Sequence, residues 1–361
     1  MYLFFAPSRC TSTVPAIPSD APALRTERTG GVTDATGERG FIRPFRREDI
    51  PGVVTLRRHV FRLSERESPS DLADYLDLTF FGSPWCDTAF PSWVYQDERG
   101  AVGGFVGVIP RPMTWRGRPI LAAVATQLMV APGVTVPVGL TLARAFFSGA
   151  QDLSIADCAN EAAYRLWKAM GGVASPGRRV VWRRRLDAHF AAPTGTYVST
   201  LHPDDLLPCM IDVLSAHCFA PRYDHRSLTW LLSLASAKKQ FGPLSGGVVR
   251  DSSGAAIGWV LYYPGEKHGR AEVLQMGSIP GARGLLLDHA MWQARSRGAR
   301  ELSGRVEPPF RSALAAAGCE FTATGPRVLL KADDPDLLAD LEPGRDDAFL
   351  SRLDGEWWLA F

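Results

Sequence analysis

One order of elements occurs twice along this chain. From residue 41 to 187 the apolar pattern reads strand, helix, helix, three strands, helix, strand, helix, strand. From residue 204 to 332 the order returns from its two helices onward, with no visible residue-by-residue identity between the copies. Strands and helices alternating in this way cannot close as one sandwich or one bundle. The repeat predicts an α+β chain: two tandem units, each a mixed, mostly antiparallel sheet flanked by helices.

Local signals give the copies their boundaries. FIRPFRREDIP reads as a strand turning into a helix, with Asp49 as cap and Pro51 in the first turn. In the first copy, apolar runs separated by ERG and RGR turns form a three-stranded meander, of which residues 122–130 are the most apolar. Residues 1–40 are rich in Pro, Ser, Thr and Gly without an apolar period, so a disordered tail is expected there. Residues 188–203 are aperiodic and predict a linker. The segment 333–361 ends in FLSRLDGEWWLAF, whose aromatic residues are expected to pack on one of the units.

Composition narrows the function classes. With 46% hydrophobic and 22% charged residues among 361, two ordinary cores are expected. A formal net charge of +2 gives no field that calls for nucleic acid or an anionic membrane. Six cysteines without CxxC spacing predict free thiols and a cytoplasmic setting. MYLFFAPSRC falls short of a secretory signal, and no run reaches the roughly 18 apolar residues of a membrane span. Cys209, His217, Cys218, Asp224 and His225 match no compact zinc spacing, so no metal site is expected.

NEAAYRLWKAMGG, residues 160–172, is a helix complete with its punctuation. Asn160 is an N-cap, Glu161 favours the positive end of the dipole, Gly171 suits a left-handed C-terminal position, and Ala163, Leu166, Trp167 and Met170 share a face. A strand, then Asn, Ala at +3, an aromatic residue at +7 and Gly at +11 resembles the fourth helix of the GNAT superfamily of acyl-CoA-dependent N-acyltransferases. Trp167 stands at that family's tyrosine, whose hydroxyl often protonates the departing thiolate, and indole cannot serve in that way. Tyr164, one turn earlier, is the substitute that the helix offers.

The resemblance spans both copies in element order and implies two tandem GNAT-like domains, 41–187 and 204–332. It also implies acetyl-CoA or another acyl-CoA as co-substrate, without a metal. In the family the strand before the third helix offers backbone to pantetheine, and the helix start holds pyrophosphate. The matching positions in the first copy are Leu128, Met129, Val130, Gly133 and Gly139, with Asn160 opening the next helix. The loop there departs from the family's Q/R-x-x-G-x-G/A pattern at Thr135, Pro137, Val138 and Leu140.

In the second copy GSIPGARG supplies Gly277, Gly281, Arg283 and Gly284 ahead of a helix, a better phosphate nest. Its fourth helix lacks the signature, with Glu307 at the asparagine place and Leu314 at the tyrosine place. On the strands that would face the thioester, Glu272 is the candidate base beside Gln127 and Gln275. The expected function is acyl transfer to a primary amine by direct attack in a ternary complex. Two other readings stay open: a Fem-like transferase using aminoacyl-tRNA, favoured by the arginines of GRRVVWRRRLD, and a non-catalytic binding protein.

Overall fold

The computed structural model describes residues 29–33, 39–61, 68–86, 89–134, 136–175, 180–186, 192–238, 242–265, 269–323, 327–342 and 347–355. The first half runs β1 (Thr29–Thr33), β2 (Arg39–Pro44), α1 (Ile50–Val60), α2 (Pro69–Phe80), β3 (Trp93–Asp97), β4 (Val102–Trp115) and β5 (Arg118–Val130). It continues through α3 (Val136–Phe147), β6 (Leu153–Ala159), α4 (Glu161–Ala169), β7 (Val173–Ala174) and β8 (Val180–Arg185). The second half runs β9 (Thr196–Val198), α5 (Pro203–Leu214), β10 (Phe219–Pro221), α6 (His225–Ser236), β11 (Ser245–Asp251), β12 (Ala256–Tyr263) and β13 (Arg270–Ser278). Then follow α7 (Arg283–Ser296), β14 (Glu301–Arg305), α8 (Arg311–Ala316), β15 (Glu320–Ala323), β16 (Arg327–Lys331), α9 (Pro335–Asp340) and a 3-10 turn (Arg352–Asp354).

The helix starts carry their chemistry in sequence. Ser68 caps α2 ahead of Pro69, and Asp224 caps α6 in a reciprocal box with Ser227. Asp49 does not cap α1; Arg43 grips its carboxylate with two bonds of 2.6 and 2.7 Å and holds it below the usual carboxylate range against the opposing effect of its burial. β1 pairs with β2 inside the segment whose composition reads as a tail; residues 1–28 and 34–38 lie outside the described residues.

Two mixed sheets result, each flanked by helices, as the repeat predicts. One has the order β1-β2-β3-β4-β5-β6-β16-β7, with β10 added to the far end of β4. The other has the order β15-β8-β14-β13-β12-β11-β9. Each contains one parallel pair, β5 with β6 and β13 with β14.

The last strand of each half has crossed over. β8 follows the first half in sequence but lies between β14 and β15 of the second sheet. β16 follows the second half but lies between β6 and β7 of the first. Pulling the halves apart therefore breaks ladder bonds in both sheets. One core also crosses between them, from Val53, Phe105 and Met129 to Leu231, Trp259 and Leu274. The Trp230 indole donates across the same boundary to the Leu78 carbonyl at 2.9 Å.

A splayed cleft in each half

β5 and β6 are paired only from Ala122–Val124 to Leu153–Ile155. Beyond that they diverge, and β6 gives its other edge to β16. The register of β5 against β4 slips by one residue between Thr126 and Met129, and Gln127 there takes φ +54. A β-bulge bends its strand, and a left-handed glutamine costs about 1 kcal/mol or more, so surrounding structure must hold it. Arg57 of α1 does so, donating to the Gln127 side chain from a buried position. The β5 edge from residue 125 to 130 is thus left without a strand partner among the described residues.

Alternation assigns the cleft's two faces. Ala122, Val124, Leu153 and Ile155 pack with α1 and α2, which puts Thr126 and Asp157 on that side by the period of two. Ala123, Ala125 and Ala156 lie on the side of α3 and α4 with Phe146 and Trp167, and Ala159 joins them because β6 has an extra residue against β16 between Ala156 and Ala159. Small residues make this second face shallow. Thr126 is 2% exposed, and its hydroxyl has no hydrogen-bond partner among the described residues.

The second half repeats the divergence. β13 and β14 pair from Arg270–Val273 to Glu301–Gly304, and β13 has an extra residue against β12 at Leu274. Here the chain's own C-terminal segment fills the α5 and α6 side. Gln275 accepts from the Trp259 indole at 3.1 Å and donates to Tyr223 at 2.9 Å and Ser351 at 2.8 Å. Asp354 accepts from Tyr223 at 2.5 Å and Ser351 at 2.7 Å. Burial raises both the Tyr223 phenol and the Asp354 carboxyl.

No protein-family model matches the chain, and no curated protein matches it. Solved structures do. A GCN5-related N-acetyltransferase from Kribbella flavida is similar at 15% identity with a TM-score of 0.58, covering 83% of this chain and 72% of that one. A probable N-acyltransferase from Enterococcus faecalis aligns at 11% identity and TM-score 0.58, over 81% and 72%. Saccharomyces cerevisiae N-myristoyltransferase, solved with bound myristoyl-CoA and inhibitors, aligns at 10% identity and TM-score 0.51, over 88% and 86%. The chain has a tandem GNAT fold.

Within this GNAT fold the residues singled out in sequence separate into several environments. Met129 points into the core, while Leu128 and Val130 are half-buried beside Val138 and Leu142 of α3. Gly133 takes φ +91 with open space where a side chain would project, and Gly139 sits in the first turn of α3 against Val130. The side chains of residues 135–137 lie outside the described residues. Asn160 is exposed, and its side chain caps α4 by accepting from the Ala163 amide at 2.9 Å. Loss of such a cap costs about 1 kcal/mol.

Tyr164 is half-buried, its ring 4.4 Å beneath the Arg327 guanidinium, which also bonds Glu161 at 2.6 Å. Trp167 is buried between Phe146 and Phe147 of α3, with ring centroids 5.9 and 4.9 Å away. The indole sets the spacing of α3 and α4. In the second cleft Gly277 lies against the Trp259 ring, and Gly281, with φ +86, and Gly284 face open space beside half-buried Arg283. Glu272 is ion-paired with Arg352 of the C-terminal segment.

Sequence reading missed the ion pair that forms between the halves. Asp157 of β6, 7% exposed, is ion-paired with Arg305 of β14, and Arg305 also reaches Glu307 at 3.6 Å. The guanidinium donates further to the Leu350 carbonyl at 2.9 Å. The available signal was an aspartate inside the apolar run LSIADCA, where a charge needs a partner. That partner is 148 residues away, supplied by the other half.

Proposed function

We propose that the chain is an acyl-CoA-dependent N-acyltransferase whose first-half cleft holds the thioester. The observation that carries this reading is the bulged edge of β5 facing a wedge, which from residue 125 to 130 has no strand partner on the β6 side among the described residues. Free amides on a splayed strand suit both the amides of pantetheine and the oxyanion of a tetrahedral intermediate. Pantetheine would run along Leu128 to Val130, with phosphate at the turn from Gly133 to Gly139 and the start of α3.

The amine enters from the α1 and α2 side and attacks the thioester carbon. The tetrahedral intermediate collapses with loss of the CoA thiolate, and the ammonium proton leaves through water. Alignment of the two substrates supplies most of the acceleration. Tyr164 is the proton donor that α4 offers the thiolate, and Glu272, in the filled cleft, holds Arg352. A cytoplasmic setting belongs to the same proposal, supported by six cysteines without CxxC spacing.

Acetyl-CoA and longer acyl-CoAs should raise the melting temperature in proportion to the logarithm of their concentration. No shift with any acyl-CoA, together with tRNA binding that weakens steeply with salt, would replace this reading by aminoacyl transfer. With the preferred amine, Tyr164→Phe should lower kcat by about tenfold or more without changing the Kd for acyl-CoA. Unchanged kcat would remove the donor role from Tyr164.

A further inference from the structure

Where β5 leaves its regular ladder, the residue in the left-handed conformation is a glutamine. The register sets Thr126 against Gly107 and Met129 against Phe105, so Gln127 and Leu128 together oppose the single residue Val106 of β4. A bulge commonly gives such a position to glycine, which reaches it without steric cost. Gln127 takes it at φ +54.

What glycine would lack is the side chain. The Arg57 guanidinium donates to the Gln127 amide oxygen, and its charge strengthens that bond. Arg57 belongs to the inward face of α1 with Val53, Val54 and Leu56, is 4% exposed, and lies 5.2 Å over the Phe61 ring one turn further on. The bulge is thus tied to α1, where a glycine would leave it untethered. The consequence falls on the next amide. Rotation about the Gln127 Cα–C bond aims the Leu128 N–H, and the extra residue of a bulge stands outside the ladder that would otherwise fix it. A left-handed glutamine released from its partner relaxes toward extended backbone and re-aims that amide.

We infer that Arg57 is a positioning residue for acyl transfer: through Gln127 it holds the left-handed turn of β5 and so the aim of the Leu128 amide at the thioester oxygen. This rests on the reading of the first cleft as the acyl-CoA site. Arg57 acts through the Gln127 backbone and touches neither substrate.

Two substitutions at one position separate this role from packing. Gln127→Gly and Gln127→Ala both take the acceptor away from Arg57, and they differ in the cost of a positive φ. Gln127→Gly should keep at least about tenfold more kcat than Gln127→Ala, with the same Kd for acetyl-CoA in both. Arg57→Met should lose kcat as Gln127→Ala does, and adding Gln127→Gly to Arg57→Met should raise kcat to the level of Gln127→Gly alone. Equal kcat in the glycine and alanine variants, or no recovery in the double variant, overturns the inference. If Arg57→Met does not fold, the comparison at position 127 decides alone. Absence of acetyl-CoA binding to the wild type would instead defeat the underlying reading of the cleft.

Discussion

Arg305→Met should be among the most damaging single substitutions in this protein, costing about 3–5 kcal/mol of stability. Arg305 is the cation between Asp157 of one half and Glu307 of the other, and all three are buried. Removing it leaves carboxylates in the interior with their main counter-charge gone, and it also removes the donor to Leu350. A loss of this size is a large part of the 5–15 kcal/mol that holds a typical domain. Urea unfolding of the wild type and the variant measures it. Adding Asp157→Asn to Arg305→Met should recover part of the loss, because one buried charge is then neutral. A loss below about 1 kcal/mol in the single variant would mean that the pair contributes little to joining the halves.

Trp167→Ala should cost a similar amount, about 3–5 kcal/mol. The indole fills the space between α3 and α4, edge-on to Phe147 and tilted against Phe146, with Gly172 close beneath it. Truncation leaves a cavity in a layer otherwise floored by alanines of β5 and β6, which have no length with which to fill it. Because the same two helices wall the proposed acyl-CoA cleft, affinity for acyl-CoA should fall with stability, while Trp167→Phe should lose less of both. Equilibrium unfolding and titration with acetyl-CoA measure the two effects. A variant of wild-type stability would make Trp167 a surface residue, contrary to its burial.

These sites show what was legible in the sequence. The limits of α4 were visible because caps act over three or four residues: Asn160 and the turn at Gly171 do what their types predict. The repeated element order was visible for the same reason. The exchange of β8 and β16 was not, since VVWRRR and RVLLK read as strands whichever sheet receives them. Partner choice is settled by long-range register, which no local pattern encodes.

The candidate site follows the same division. The glycines of GSIPGARG drew attention as a phosphate nest, and Gly281 and Gly284 do stand open. Nothing in that stretch foretold that Ser351 and Asp354 would fill the acceptor side of the cleft beneath it. Glu272 was visible as a carboxylate on the right strand, but its ion pair with Arg352 depends on where the C-terminal segment docks. Phe349 and Leu350 of that segment are buried as its apolar character implied; Trp357 and Trp358 lie outside the described residues. Gln127 had an identifiable strand and an unforeseeable backbone, because the bulge arises only when β5 is laid against β4.

Calorimetric titration of acetyl-CoA into the wild type, Gly139→Glu and Gly284→Glu tests the central claim most directly. Both substitutions put a carboxylate at the start of a third helix, where it would repel phosphate, and neither glycine has a neighbour within close contact of the added side chain. The account predicts one site per chain in the wild type, weakened by about tenfold or more in Gly139→Glu and retained in Gly284→Glu. Binding lost in Gly284→Glu and kept in Gly139→Glu would place acyl-CoA in the second half and contradict it.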